Sequence, residues 1–350
     1  MLQGSLYQGA LYGLLAAALF GASAPFAKLL LGHVQPLSLA ALLYLGAALQ
    51  LWFGRLLRRG PAVEAPLRRS DAPLATAVVL LGGVAGPVCL MFGLERVSGV
   101  TGSLLLNLEA PLTIVIALSV FREHLSAREL LAAGLVIVGA GVLSVSPGAV
   151  GGHWLGVLLV ACASAAWALD NNLTQRLSAK DPRAIVRVKA LGAGTCNLAL
   201  AFLFGEHLPP PSLCLFALLL GALSYGASIL LDVYALRLLG AAREAAFFAT
   251  APFLGALIAV PLLHEGLGPG ALVAMGVMGS GVVLLMRARH GHRHAHDALA
   301  HEHLHSHDAH HQHPHPPGTP VGEPHAHWHQ HAPLIHDHPH AGDLHHRHSH

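Results

Sequence analysis

Charge is what this chain has least of. Asp, Glu, Lys and Arg make up 11% of its 350 residues, less than half the roughly 25% of a soluble domain, while hydrophobic residues make up 54%. The polar residues gather in about the last sixty positions, so the part before them is more apolar still. Those proportions exclude a soluble globular fold. A net charge of +2, with basic residues scattered at segment ends, excludes a nucleic-acid-binding face. Cysteine is scarce too. Cys89, Cys162, Cys196 and Cys214 stand inside apolar runs with no CxxC spacing, which reads as small buried hydrophobes. No cleavable leader is expected, because no basic residue precedes the first apolar run. Ala22-Ser23-Ala24 resembles a cleavage site, but Pro25 follows and the run continues.

What is present is a series of long apolar runs. Crossing the hydrocarbon core takes about 20 apolar residues in a helix. Five such runs are Leu6–Leu31, Leu37–Leu57, Leu74–Leu94, Val100–Phe121 and Glu129–Val145; five more are Trp154–Leu173, Ile185–Phe204, Leu213–Leu236, Ala245–Leu263 and Leu267–Met286. Short breaks of Gly, Pro or charge separate them, such as Gly32-His33-Val34-Gln35-Pro36, Ser146-Pro147-Gly148 and Pro209-Pro210-Pro211. They are too long and continuous for barrel strands, so an all-α membrane protein of ten transmembrane helices is expected. Abundant small residues, among them 38 Gly, suit close helix packing in lipid.

Lys and Arg set the orientation. With a cytoplasmic N-terminus, the inner loops carry Arg55, Arg58, Arg59, Arg68 and Arg69, then Arg122 and Arg128. Arg176, Lys180, Arg183, Arg187 and Lys189 follow, then Arg237 and Arg243, then Arg287 and Arg289. The outer side holds Arg96, with Lys28 near the outer end of the first span. Both termini are then cytoplasmic, in a protein of the inner (plasma) membrane.

The chain also repeats itself. At a shift of 141 residues Arg96 falls on Arg237, Gly99 on Gly240 and Ala110-Pro111 on Ala251-Pro252; one added residue then puts Glu123 on Glu265, Gly134 on Gly276 and Gly139 on Gly281. Phe20 to Lys28 matches Trp167 to Gln175 less closely. The expected organisation is a five-helix repeat over 1–147, a second over 148–289 and a separate tail over 290–350. An odd number of spans per repeat inserts the two halves with opposite orientation, which is the plan of carriers with a midplane substrate site.

Gly-Leu-Glu-Arg-Val-Ser at 93–98, Leu108-Glu109-Ala110-Pro111-Leu112 and Glu123, with Ala249-Thr250-Ala251-Pro252-Phe253 and His264-Glu265 in the second copy, resemble the EamA-type drug/metabolite transporters over residues 6–287. The resemblance implies a secondary carrier of small metabolites with both termini in the cytoplasm, and it leaves the substrate open.

An ionisable group inside a span is costly and marks a functional site by default. Glu109 lies mid-span, followed by Pro111, which cannot donate a backbone bond and so frees a carbonyl. Asp170, with Asn171 beside it, and Asp232 lie toward inner ends, and Lys28 takes the place matched by Gln175. These five are the candidates for the substrate pathway or for coupling; bonding between helices and snorkelling at the ends are the alternative roles. Arg122, Glu123, His124, His264 and Glu265 read as loop residues that cap or pair. No nucleophile–base pair is evident, so no enzymatic activity and no required cofactor are expected.

Of the 28 histidines, 23 lie between His290 and His350. They recur as His-x-His at His292, His294 and His296, at His301, His303, His305 and His307, and at His325, His327 and His329. Prolines and the lack of an apolar face predict a disordered tail. Neutral imidazole should bind Ni, Co, Zn or Cu there with low specificity. Three roles fit such a tail: a cytosolic metal collector for a metal exporter, a metal-binding appendage unconnected with transport, or drifted low-complexity sequence. The expected function is export of a small metabolite or drug-like solute, its partners being the bilayer and that solute, with the oligomeric state open. A divalent-metal exporter is the runner-up, and a non-transporting membrane sensor is a third class.

Overall fold

The structure, a computed structural model, describes residues 2–56, 64–119, 127–145, 154–178, 180–239, 244, 247–286, 291–296, 299–305, 325–331 and 334–339. Arg58, Arg59, Arg122, Glu123, His124, Ser146-Pro147-Gly148, Gly240, Arg243, Arg287, Arg289 and His307 lie outside the described residues.

The described part of the membrane region is helical throughout. In the first repeat, α1 (Leu2–Gly21), α2 (Ser23–Leu31) and α3 (Pro36–Leu56) are followed by α4 (Ala72–Val78) and α5 (Gly86–Leu94), then α6 (Gly99–Leu105), α7 (Glu109–Ser119) and α8 (Ala127–Val145). The second repeat holds α9 (Trp154–Leu177), α10 (Pro182–Leu203), α11 (Pro211–Gly221), α12 (Ser228–Leu239), α13 (Ala251–Leu263) and α14 (Pro269–Met286). The starts follow capping chemistry. Ser98 accepts from the Thr101 amide, Asp181 accepts from the Arg183 amide, and Pro182 and Pro211 sit where no amide partner is needed.

Several of these helices run on into one another. α4 and α5 are joined by a π-helical stretch, Val79–Ala85, and α11 and α12 by another, Ala222–Ala227. A 3-10 turn, Leu106–Leu108, joins α6 to α7. Six helical stretches are long and apolar enough to cross a membrane: Tyr7–Leu31, Pro36–Leu56, Arg69–Leu94, Trp154–Leu177, Pro182–Leu203 and Pro211–Leu239. Leu130–Val142, Ala251–Leu263 and Pro269–Leu284 are apolar but shorter. The chain is thus a multi-pass membrane protein. The run expected as a single span over Ala245–Leu263 is shorter as a helix, because a turn at Ala249–Thr250 precedes Ala251.

The two repeats interlock. α3 packs on α10 and α11, α8 on α14, α1 on α12, α5 on α9 and α6 on α13, so the main packings join the first half to the second. Close approach is made by glycine. A side-chain carbon on Gly46 would strike the Leu218 carbonyl, and one on Gly221 would strike the Leu43 carbonyl, so α3 and α11 touch through backbone. Large apolar side chains such as Phe53, Leu80, Leu191, Leu203, Leu219 and Leu257 point outward, as lipid contact requires. Gly221→Val should force α3 and α11 apart at a cost of about 1–3 kcal/mol, read as a lowered thermal midpoint of the purified protein. An unchanged midpoint would show that the crossing has slack.

In the tail the described segments are four short extended stretches. β1 (Gly291–His296) pairs antiparallel with β4 (Leu334–Pro339), and β2 (Leu299–His305) with β3 (His325–His331). The register sets His301 opposite His329 and His303 opposite His327. Repetition of His every second residue matches the two-residue period of an extended chain.

Candidate functional site

Three breaks in the helices meet between the halves. α1 ends at Gly21 and α2 restarts at Ser23; the 3-10 turn Leu106–Leu108 precedes Glu109; the turn Ala249–Thr250 precedes Ala251. The last two stand before the two Ala-Pro pairs matched by the repeat. Pro111 and Pro252 have no amide hydrogen, so the ladder cannot run through them undisturbed. The breaks wall a cavity lined by Phe20, Ser103, Asn107, Glu109 and Phe248, with Gly21, Ala249 and Pro252 around them. The Ser103 hydroxyl and the Asn107 Oδ1 are buried without a hydrogen-bond partner. The amide nitrogen of Asn107 is engaged, donating to the Leu104 carbonyl at 3.2 Å.

A second cavity adjoins the first, since Phe20, Glu109 and Phe248 line both. Its other walls include Tyr44, Trp167, Asp170, Asn171, Lys189 and Asp232. Here the charges are concentrated. Lys189 from α10 forms a buried ion pair with Asp170 of α9, and Thr174 donates to Asp170 Oδ1 at 3.2 Å. Asn171 Nδ2 donates to Glu109 Oε1 at 2.7 Å, which ties α9 to the start of α7. Asn172 holds the same pair of helices by donating to the Thr113 carbonyl at 3.3 Å. The Asp232 carboxylate lies beside that of Glu244.

The π stretch before α5 makes room for this cluster. Gly82 faces the Asp170 carboxylate so closely that no side chain fits there. The disturbed ladder leaves its carbonyls to outside donors. The Tyr44 hydroxyl (2.8 Å) and Trp167 Nε1 (2.9 Å) both donate to the Gly82 carbonyl, and Asn197 Nδ2 donates to that of Gly83 at 2.9 Å.

Four of the five expected candidates, Glu109, Asp170, Asn171 and Asp232, therefore come together around one cavity. Lys28 does not. It is half-buried at the far end of α2 and donates to the Leu94 carbonyl. Lys189 corrects the sequence reading in the other direction. It was placed in an inner loop with Arg187, yet it is 6% exposed and sits inside the bundle. Among the described residues no group of three or more His, Cys, Asp or Glu is placed to hold a metal ion.

The model of the EamA-like transporter family matches residues 7–145 and again residues 154–287. The chain belongs to the EamA-like transporter family. An uncharacterized transporter of Methanothermobacter thermautotrophicus is 30% identical over 288 residues, covering 76% of this chain and 80% of that protein. A solved crystal structure at 18% identity covers 79% of this chain and 95% of its own, with a TM-score of 0.61, which is a likeness of fold.

In this EamA-like chain the polar ties at the two ends of the bundle were mostly hidden from sequence. At one end the Glu265 carboxylate accepts from the Gly99 and Val100 amides, both at 2.7 Å, and so caps α6, in keeping with its expected capping role. Glu206, not singled out from sequence, caps α3 the same way through the Leu37 (3.1 Å) and Ser38 (2.7 Å) amides. At the other end Arg237 closes α12 by binding Glu64 at 3.0 Å and the Ser178 carbonyl at 2.6 Å. Glu244 was missed as well. Its neighbour Arg243 makes it read as a loop residue, and nothing local reveals that the carboxylate is fully buried.

Proposed function

We propose that the protein is a secondary transporter that exports a small organic solute across the inner membrane by alternating access. It spans the membrane ten times in two oppositely inserted repeats, and the solute occupies the joined cavities between them. The observation that carries this reading is the convergence of three helix breaks on one cavity. Discontinuous helices at a repeat interface are how carriers of this plan expose backbone and polar groups to a solute. A second observation supports it. Phe20 and Trp167, matched by the repeat, meet edge to face at 5.5 Å, as equivalent residues do on either side of a shared axis. Glu109, Asp170, Asn171 and Asp232 are the proposed pathway residues, and Lys28 is proposed as an end tie.

Topology tests the plan. Reporter fusions after residues 65, 125, 180 and 290 are all expected to report cytoplasm, because those loops hold nearly all the Lys and Arg. A periplasmic signal at 65 or 180 would sink the ten-span count and the opposed repeats together.

The histidine tail favours a second reading, metal export, in which it collects Ni, Co or Zn at the inner mouth by raising effective concentration. Truncation after Arg289 separates the two. Export of an organic solute should leave the truncated protein near normal at any metal level. Export of metal should make truncation weaken metal resistance most at low cytosolic metal, with the effect fading below about pH 6 as imidazole protonates. Absence of a metal phenotype in both forms would eliminate the metal reading.

A further inference from the structure

The adjoining cavities are unbalanced in charge. Among the described residues, the carboxylates of Glu109, Asp170, Asp232 and Glu244 gather around them, while Lys189 is the sole cation and is already bound to Asp170. Glu109 has one neutral donor, Asn171. Close to it, the Asn107 oxygen and the Ser103 hydroxyl are buried and unpartnered on the wall of the same cavity. A buried acceptor without a donor is a standing cost, removed when a ligand brings N–H groups. The remaining wall is aromatic. Phe20 lies 5.2 Å from Phe248 and 5.5 Å from Trp167, centroid to centroid, and ring faces attract a cation out of water.

We propose that the joined cavities bind a protonated organic amine with an apolar or aromatic body. Its ammonium group meets Glu109, the Asn107 oxygen and the Ser103 hydroxyl, and its body lies against the Phe20 and Phe248 wall of the cavity. The inference names the solute class for the transporter reading and rests on it. An anionic solute would meet Glu109 without a free cation on the described walls. A neutral one would leave that carboxylate uncompensated.

Calorimetric titration of the purified full-length protein with three probes of one shape tests this: phenethylamine, 2-phenylethanol and 3-phenylpropionate. Phenethylamine is expected to bind at least about tenfold more tightly than either other probe, since it alone brings charged N–H donors to the Glu109 carboxylate. Glu109→Gln should erase that preference and Glu109→Asp should retain part of it. Asn107→Leu leaves the charges in place, so it keeps the test decisive if Glu109→Gln fails to fold. It should weaken phenethylamine severalfold and leave its N,N,N-trimethyl analogue, which has no N–H, unchanged. Equal or tighter binding of the alcohol or the acid would overturn the proposal while leaving a transporter of another solute class. No binding of phenethylamine at millimolar concentration would overturn it as well. The fusion topology is independent of either result.

Discussion

Lys189→Met is expected to remove most of the folded protein from the membrane fraction. The substitution keeps the length and apolar stem of the side chain and deletes one charge, so the effect isolates the ion pair. Asp170 is 1% exposed, and without Lys189 its charged form keeps, among the described residues, only the Thr174 hydroxyl. Breaking a buried pair by removing one partner costs about 3–5 kcal/mol, a large share of the 5–15 kcal/mol that holds a typical domain. Removing both charges should cost far less, so Lys189→Met with Asp170→Asn is expected to restore much of the folded fraction. The measurement is the monodisperse yield from size-exclusion chromatography, with the thermal midpoint of whatever survives. A single variant as stable as the unaltered protein, or a double variant no better than the single, would show that the pair does not hold α9 to α10.

Glu109→Gln is expected to flatten the pH dependence of transport while the protein still reaches the membrane. Gln keeps the shape and can still bond Asn171, so packing at the start of α7 should persist. If Glu109 exchanges a proton for solute, transport can change by up to about tenfold per pH unit in the native protein, the limit for one proton per cycle. In the variant it should vary by less than about twofold between pH 6 and pH 8. The groups facing Glu109 are Asn171 and Asp170 on α9, Lys189 on α10, Asp232 on α12 and Glu244. Asp170→Asn is the companion variant, and its reading must allow for the Lys189 it leaves unpaired. Unchanged pH dependence in both would leave the two acids as structural polar groups.

The apolar runs were legible because lipid demands unbroken hydrophobic length, and the repeat was legible because spacing survives in paired landmarks such as Ala110-Pro111 and Ala251-Pro252. Glu109, Asp170, Asn171 and Asp232 stood out as polar residues in apolar surroundings, and the fold brings them to one cavity. Lys189 did not stand out because it follows Arg183 and Arg187, and a basic cluster at a span end reads as an inner loop. Its place within the run Ile185–Phe204, and the helix start at Pro182, distinguish it from a loop residue. Glu206 and Glu244 depend on what lies across the bundle, which no window along one chain contains. The breaks at Gly21 and before Ala251 were hidden for another reason: hydropathy records length and polarity but not whether the backbone ladder is continuous.

The paired π stretches have a consequence for how these spans are read. Each carries its chain through the membrane in two phases, because one surplus residue turns everything beyond it by about 100° relative to an unbroken helix. An apolar stripe traced at a single 3.6-residue period along 69–94 therefore slips out of step near Gly82, although no residue there is unusual. Deleting one residue from Val79–Ala85 would bring the phases back together and fold the Gly82 carbonyl into the ladder. Tyr44 and Trp167 would lose their shared acceptor, and α5 would turn a different face to α9. A frame of this kind tolerates exchange of side chains far better than it tolerates a change in count.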